Sequence, residues 1–199
     1  MLTMPTCPRH SIAMKEDSYH HGNLRSELLR LGRIALESDG EAALSLRSLA
    51  ESAGVSKTAP YRHFRDRRAF LGALADEGFR ILCVELERTG GRGPARVSAM
   101  GKAYMSFAVA HPSLYRLMNS QSILELPETS TSWARKSFMM LAEAIADETP
   151  LSHGFDINAA CAAWSYIHGL VLIRIDGLFP FELGEPDWDG LSAIFPRPA

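Results

Sequence analysis

Residues 46–64 (LRSLAESAGVSKTAPYRHF) bring together side chains that can bind nucleic acid. Basic groups at Lys57, Arg62 and Arg65 can neutralise phosphates, and hydroxyl and imidazole groups nearby can donate to phosphate oxygens. The small residues Thr58 and Ala59 are suited to base edges and thymine methyl groups. We therefore predict that the segment contacts DNA through Arg47, Ser56, Lys57, Thr58, Ala59, Tyr61, His63 and Arg65.

The same segment has the spacing of a helix-turn-helix. Its apolar periodicity predicts a helix from about Leu46 with Ser45 as the N-cap, and Gly54 supplies the positive φ that a tight turn requires. Ser56 is then expected to cap a recognition helix that runs to about Phe64 and enters a major groove. Taken alone, the pattern also fits an amphipathic helical hairpin with a solvated basic face.

No other set of residues has the spacing of a reactive or metal-binding site. His20, His21 and His63 lack metal-ligand spacing, and no Gly-rich phosphate, paired-carboxylate or Ser-His-Asp motif has the context it needs. The three cysteines are far apart and odd in number, which indicates free thiols in a reducing compartment. We expect a protein that is not an enzyme and holds neither metal nor cofactor.

One further helix is expected before the DNA-contacting segment. Residues 1–19 show no periodicity and are predicted to be a disordered arm. Apolar residues then recur at spacings of four and three from Leu24, with Asn23 as a plausible N-cap. The sequence Asp39-Gly40 is expected to end this helix.

The chain after the DNA-contacting segment also has helical periodicity. A connecting helix is predicted at about residues 66–88, and the breaker TGGRGP at 89–94 ends it. No segment alternates as a strand would, so the fold class is all-α, with a DNA-binding domain at 20–70 and a ligand-binding and dimerisation domain at 71–199. Within the second domain we expect a helical stripe at 97–111, a short helix to 118, a loop at 120–131 and helices at about 132–147 and 156–178.

Charge is distributed unevenly along the chain. Residues 1–70 carry 11 Lys and Arg against 8 Asp and Glu, whereas residues 71–199 carry 10 against 15. A basic front and an acidic remainder fit a polyanion-binding head on a body with another task. The first 13 residues lack the apolar stretch of a signal peptide, and the most apolar segment, 159–173, is too short to span a bilayer. We expect a cytoplasmic protein without a membrane partner.

The predicted helix at 156–178 is apolar on two sides. One stripe contains Trp164 and His168, and another contains Ala163 and Ile167. A helix of this kind is buried on both sides, so one face is expected to pack on its own domain and the other on a second copy of the chain. Gly169 would permit close approach in such a homodimer.

Aromatic and methionine side chains in this domain predict a pocket for a flat or apolar small molecule. Each of them is more often plain core than a ligand contact. His168 is a better candidate, because a polar ring on an apolar stripe needs a hydrogen-bond partner. The candidate ligand contacts are Tyr104, Phe107, Met118, Trp133, Phe138, Trp164 and His168.

Residues 20–74 resemble the N-terminal DNA-binding domain of TetR-family regulators along their full length. The likeness includes the Gly40 turn, the AGVS turn, and YRHF followed by a charged cluster and an apolar helix. More weakly, HPSLYRLM (111–118) and AAWSYIHGLVLIRIDGLF (162–179) resemble the subgroup with a Trp…His-Gly motif, here Trp164, His168 and Gly169. The resemblance implies a three-helix head on a helical bundle, acting as a homodimeric repressor of a palindromic DNA operator that a small hydrophobic effector releases.

Two features depart from the family pattern. The common recognition helix has Gly-Thr-Leu where this chain has Thr58-Ala59-Pro60. Because Pro60 lacks an N–H and biases Ala59 away from helical ψ, we expect a tightened first turn rather than a broken helix. At the C-terminus only residues 188–195 could be helical, so the dimer interface is expected to be smaller or to depend on the preceding helix.

The sequence leaves three other functions open. An activator or a ligand-independent regulator of the same family would share all of these motifs. A small helical enzyme or carrier that uses the C-terminal cavity would not need Lys57 and Tyr61 in the DNA-contacting segment, and both are present. A protein-interaction module would likewise have no use for a basic recognition face.

Overall fold

The computed structural model describes residues 24–124, 131–146, 157–178 and 188. Within these ranges the regular structure is helical and no strand occurs, in agreement with the predicted all-α class. Several predictions lie outside the described residues, namely the arm at 1–19, the His20-His21 pair, the N-cap at Asn23 and nearly all of the possible helix at 188–195.

Two helices and two 3₁₀ turns form the head. α1 spans Leu24–Asp39 and α2 spans Leu46–Ser52, and the 3₁₀ turns lie at Glu41–Ala43 and Ala59–Arg62. The predicted end of α1 is confirmed, since Gly40 has a φ of 80° and its N–H donates to the helix carbonyl four residues back at 3.1 Å.

The turn after α2 forms as the sequence predicts. Gly54 has a φ of 68°, and its N–H donates to the carbonyl of Glu51 at 3.1 Å. The N–H of Val55 donates to the carbonyl of Ala50 at 3.0 Å, which completes a Schellman motif. At the other end of α2, Ser45 occupies the N-cap position without a side-chain capping bond.

The predicted recognition helix needs correction. Instead of an α-helix over residues 56–64, the chain forms a single 3₁₀ turn at Ala59–Arg62. The N–H groups of Tyr61 and His63 donate to carbonyls three residues back, at 3.2 and 2.9 Å. Pro60 accounts for this geometry, because it offers no N–H to an α-helical bond and restrains the residue before it. The effect extends beyond the tightened first turn that we expected.

A close contact between α1 and an aromatic pair fixes the head. The rings of Phe64 and Phe70 are both buried and meet edge to face, with centroids 5.1 Å apart. Gly32 of α1 faces this pair, and a Cβ built on it would lie 2.4 Å from Cζ of Phe70. Phe64, two residues after the 3₁₀ turn, is therefore anchored to α1 through its contact with Phe70.

α3 spans Arg67–Glu87, close to the predicted range, and continues from the head into the body. It begins at Asp66, whose carboxylate accepts a bond from the N–H of Ala69 at 2.7 Å. Leu74, Leu82 and Cys83 are fully buried where α3 contacts the other helices.

Five further helices form the body around α3. They are α4 (Gly93–Ala110), α5 (Pro112–Met118), α6 (Gln121–Leu124), α7 (Thr131–Ala146) and α8 (Ile157–Ile175). Their bounds agree with the predicted helices, except that α6 forms one helical turn at the start of the predicted loop. Among the described helices, none is both long and apolar enough to cross a membrane.

Replacing Gly32 by alanine tests the close contact in the head. The new methyl group would force the Phe70 ring against Phe64, and overpacking of this kind costs about 1–3 kcal/mol, more than the roughly 1 kcal/mol that alanine gains as a helix former. We expect chemical denaturation to show a free energy of unfolding lower by up to about 2 kcal/mol. Ser26→Ala, an exposed change on the same helix, should stay within about 0.5 kcal/mol. Equal or greater stability of the Gly32 variant would contradict this packing.

Candidate nucleic-acid interface and effector cavity

The residues predicted to contact DNA are exposed, with one exception. Ala59 is half-buried next to the fully buried Pro60. Ser56 caps no α-helix, and its hydroxyl lies 3.2 Å from that of Thr58. The exposed members of the predicted set are Arg47, Ser56, Lys57, Thr58, Tyr61, His63 and Arg65.

Two basic residues of this surface form ion pairs with neighbouring carboxylates. Nζ of Lys57 lies 2.7 Å from Oε1 of Glu51, and the hydrogen bond from Lys57 lowers the pKa of the Glu51 carboxyl. Arg65 lies 3.0 Å from Asp66, whose pKa is lowered first by the N–H of Ala69 and then by Arg65. Because both pairs are solvent-exposed, a DNA phosphate can replace either carboxylate at small cost.

Sequence reasoning missed Arg25 as a member of this surface. Its guanidinium lies 5.5 Å from the ring centroid of Phe64, the residue that follows the 3₁₀ turn and His63. The cation–π contact places an exposed positive charge beside the DNA-contacting segment. Its position at the start of an amphipathic helix indicated exposure only, and not this contact.

The body contains a cavity of about 580 Å³ between α3 and the later helices. This volume is in the range of small-molecule sites. Five predicted ligand contacts line it, namely Tyr104, Met118, Phe138, Trp164 and His168. The lining residues that sequence reasoning missed are Phe79, Asn119, Ile123, Ala134, Arg135, Ser137 and Cys161.

The other two predicted ligand contacts lie elsewhere. Phe107 is buried and its ring packs against that of His111, with centroids 5.3 Å apart. Trp133 packs on the core with the ammonium of Lys136 4.7 Å from its ring centroid. Both residues follow the apolar pattern of their helices, which does not specify the side that faces the cavity.

A chain of hydrogen bonds runs along one side of the cavity. The hydroxyls of Tyr104 and Tyr115 lie 3.2 Å apart, and the hydroxyl of Tyr115 lies 2.5 Å from Nδ1 of His168. The indole of Trp164 stacks on the imidazole of His168 with ring centroids 5.0 Å apart. His168 therefore has a partner in the core and also faces the cavity.

Burial keeps the side chains of this hydrogen-bond network uncharged near neutral pH. Desolvation raises the pKa of both phenols, Tyr104 and Tyr115, above the ordinary value of tyrosine. Desolvation also lowers the pKa of His168 below the ordinary value of histidine. The side chains of this network that face the cavity are therefore neutral donors and acceptors.

Glu37 of α1 connects the head to the same set of residues. Its two carboxylate oxygens accept bonds from the N–H groups of Ser113 and Leu114, each at 3.0 Å. The carboxylate thereby caps the N-terminus of α5, the helix that carries Tyr115. We refer to this contact as the Glu37 clasp. No sequence pattern indicated it, because the partners are 76 and 77 positions apart.

The two faces of α8 that the sequence distinguished differ in burial. Ala163 and Ile167 are buried against the body, as expected for one face. Trp164 and His168 border the protein's own cavity, and Trp164 and Ile157 of the same stripe are also exposed. At Gly169, on another side of the helix, an added Cβ would meet no atom within 4 Å. Ile173, one turn from Gly169, is exposed.

Comparisons with known proteins agree over both parts of the chain. The model described as "Bacterial regulatory proteins, tetR family" matches residues 28–74, and "Tetracyclin repressor-like, C-terminal domain" matches residues 97–192. No significant match was found among curated protein sequences.

Several solved structures share the fold. A protein of unknown function from Rhodococcus sp. RHA1 is 32% identical, with a TM-score of 0.68 over 90% of this chain and 94% of that one. The TetR family transcriptional regulator PfmR from Thermus thermophilus is 17% identical, with a TM-score of 0.56 over 87% and 99%. A tetR-family regulatory protein from Rhodococcus RHA1 is 22% identical, with a TM-score of 0.56 over 85% and 91%.

The last two likenesses establish the fold alone, whereas the family models match the sequence of the head and of the body separately. The two family models cover the helical head and the helical body that α3 joins. The chain belongs to the TetR family of bacterial transcriptional regulators, which are DNA-binding proteins and not enzymes.

Proposed function

We propose that this regulator is a homodimeric repressor that occupies a palindromic operator in the cytoplasm and is released when a small apolar molecule enters the cavity. The observation that carries the proposal is a line of contacts from cavity to head. His168 in the cavity bonds to Tyr115 of α5, and the first N–H groups of α5 bond to Glu37 of α1. A ligand that displaces α5 would therefore act on the head directly.

The helix α3 offers a second route between the two parts. We place the division between a DNA-binding domain (20–70) and a ligand-binding and dimerisation domain (71–199) within its first turn. A Cβ on Gly78 would lie 2.6 Å from Sδ of Met118, so α3 is in tight contact with α5 beside the cavity. Movement of either helix would change the separation of the two heads of a dimer, and only one separation matches the half-sites.

On DNA, the segment from Arg47 to Arg65 would provide the contacts. We assign phosphate contacts to the basic and hydroxyl side chains and base-edge contacts to Thr58 and Ala59. The single 3₁₀ turn is shorter than a recognition α-helix, so few side chains would reach base edges. Phosphate contacts would then supply most of the affinity, which makes the binding strongly dependent on salt.

The Trp…His-Gly motif supports placement in the subgroup that carries it. Each of its residues has a separate position in this chain. Trp164 is a wall of the cavity, His168 ends the hydrogen-bonded chain, and Gly169 lies on another side of α8 with open space beside it. One turn of helix would thus serve both ligand binding and contact between subunits.

The side of α8 that carries Gly169 is the proposed dimer contact. The exposed apolar side chain of Ile173, one turn from Gly169, and the open space at Gly169 allow two copies of the helix to approach closely. A two-fold axis through such a contact would present two identical heads, as a palindromic operator requires.

An activator or a ligand-independent regulator would share this head and this dimer. The cavity favours a ligand-responsive protein, because a space of about 580 Å³ lined by aromatic and polar groups is in the size range of small-molecule sites. A reporter gene placed behind the operator distinguishes repression from activation.

Salt dependence tests the phosphate contacts. Lys57→Ala should weaken binding to all duplex sequences alike and lower the slope of log K against log[salt] by about one. Glu51→Gln is the matched variant, since it frees Lys57 from its ion pair and should strengthen binding. Fluorescence anisotropy with labelled duplexes at several salt concentrations measures both. An unchanged slope for Lys57→Ala would contradict a phosphate role for this residue.

Gly169→Glu tests the dimer contact. A carboxylate at the centre of a close helix pair would be desolvated without a partner, so we expect sedimentation to show monomers. The wild-type protein should sediment as a dimer and select an inverted repeat from random duplex DNA. Ala95→Glu, on the exposed surface of α4, should remain dimeric. A dimeric Gly169→Glu protein would move the interface away from this side of α8.

Glu37→Ala tests the Glu37 clasp. It removes two charge-assisted bonds at a helix N-terminus, which should lower the free energy of unfolding by about 1–2 kcal/mol. Hydrogen exchange at the amides of Ser113 and Leu114 should accelerate in this variant. Ser38→Ala, the exposed neighbour, should change neither quantity. Unaltered exchange at both amides would show that the clasp does not hold α5.

A further inference from the structure

The direction of each hydrogen bond beside the cavity follows from the donors and acceptors that its side chains offer. Each phenolic hydroxyl has one proton to donate. Both buried phenolic protons are bonded when Tyr104 donates to Tyr115 and Tyr115 donates to Nδ1 of His168. His168 then carries its own proton on Nε2.

That Nε2–H group is available to a ligand. His168 lines the cavity, and within the described part of the chain no protein acceptor is bonded to its Nε2. Two other polar lining residues are already bonded to backbone carbonyls, Asn119 to Tyr115 at 2.9 Å and Ser137 to Ala134 at 2.7 Å. A ligand in the cavity therefore meets a neutral donor at His168.

The charge around the cavity has one sign. Arg135 of α7 is the charged residue among the lining set, and no Asp or Glu of the described ranges lines the cavity. Arg135 is exposed and makes no ion pair with a carboxylate of the described residues. A cationic ligand would find no counter-charge among these lining residues, whereas an anion would be complementary to the long, exposed side chain of Arg135.

The remaining walls are apolar. Phe79, Phe138 and Trp164 present aromatic surface to the cavity. A smaller apolar space of about 40 Å³ lies against Tyr104, Phe138 and Trp164 on their other side. These surfaces suit the hydrocarbon part of a ligand and offer it few polar contacts.

We propose that the cavity binds an apolar monocarboxylate, whose oxygen accepts the Nε2–H of His168 and whose charge is balanced by Arg135. The inference rests on the proposed function only in taking this cavity as the effector site. The carboxylate would be held by a neutral hydrogen bond inside and an exposed cation at the mouth. Arene carboxylates and medium-chain fatty acids share this chemistry.

Isothermal titration of the DNA-free, full-length protein tests the ligand class. The probes are 2-naphthoate, 2-naphthylmethanol and 2-naphthylmethylammonium, together with dodecanoate and dodecanol. In both the naphthyl and the dodecyl series, the carboxylate should bind at least about threefold more tightly than the alcohol. The naphthyl ammonium probe should bind more weakly than the naphthyl carboxylate and the naphthyl alcohol. Equal or tighter binding of the alcohols or of the ammonium probe, or no binding of either carboxylate, would overturn the proposal.

Two variants separate the two contacts. Arg135→Gln should weaken carboxylate binding by about three- to tenfold and leave alcohol binding within about twofold. His168→Leu should weaken both by about two- to tenfold, because either can accept the lost hydrogen bond. Arg88→Gln, an exposed arginine that does not line the cavity, is the control. Equal affinity of wild-type and Arg135→Gln protein for both carboxylates would overturn the role of Arg135.

Operator release is measured separately, by anisotropy of a labelled operator. A carboxylate that binds without releasing operator would support the ligand class and contradict the repressor mechanism. Release by an alcohol or ammonium probe that binds as tightly as the carboxylate would support the mechanism and overturn the ligand class.

Discussion

The structure depends on α3 packing tightly in the head and in the body at the same time. A helix of 21 residues is about 31 Å long, enough to cross both parts. In the head its Phe70 lies against Gly32 so closely that a single methyl group would not fit. In the body a Cβ on Gly78 would lie 2.6 Å from Sδ of Met118 and 3.1 Å from Cγ of Leu114, both of α5. The two glycines therefore let α3 approach its neighbours closely in both parts of the chain.

Pro60 gives the DNA-contacting segment a form that is uncommon for a recognition element. A proline in the interior of a helix removes one hydrogen bond and restricts the residue before it. Here the segment has the bonds of a single 3₁₀ turn, and side-chain burial adds to them: Pro60 is fully buried, and Phe64 packs on Phe70. The rigidity that a recognition helix obtains from its backbone is provided in this chain partly by side-chain burial.

The sequence predicted the features that depend on local rules. Apolar periodicity located the long helices, and Gly40 and Gly54 marked turns that need positive φ. The extent of the Pro60 effect was missed because local rules describe a first turn, whereas the buried position of the proline stabilises the whole 3₁₀ segment. About the cavity, periodicity identified apolar faces but could not show which of them meet. Phe107 and Trp133 therefore turned out to lie elsewhere, and Arg135 was missed because a charged residue gives no apolar signal.

Tyr115 shows how one short helix can join two tasks. Its hydroxyl is bonded to His168 and Tyr104 beside the cavity, and its ring is completely buried. One and two residues before it, the N–H groups of Leu114 and Ser113 are held by Glu37 of the head. A buried phenol that lost either bond would have no solvent to replace it. The bonds of Tyr115 and the two amides held by Glu37 lie within a single turn of α5. The N-terminus of that turn donates to the carboxylate of Glu37, through which α1 contacts the body.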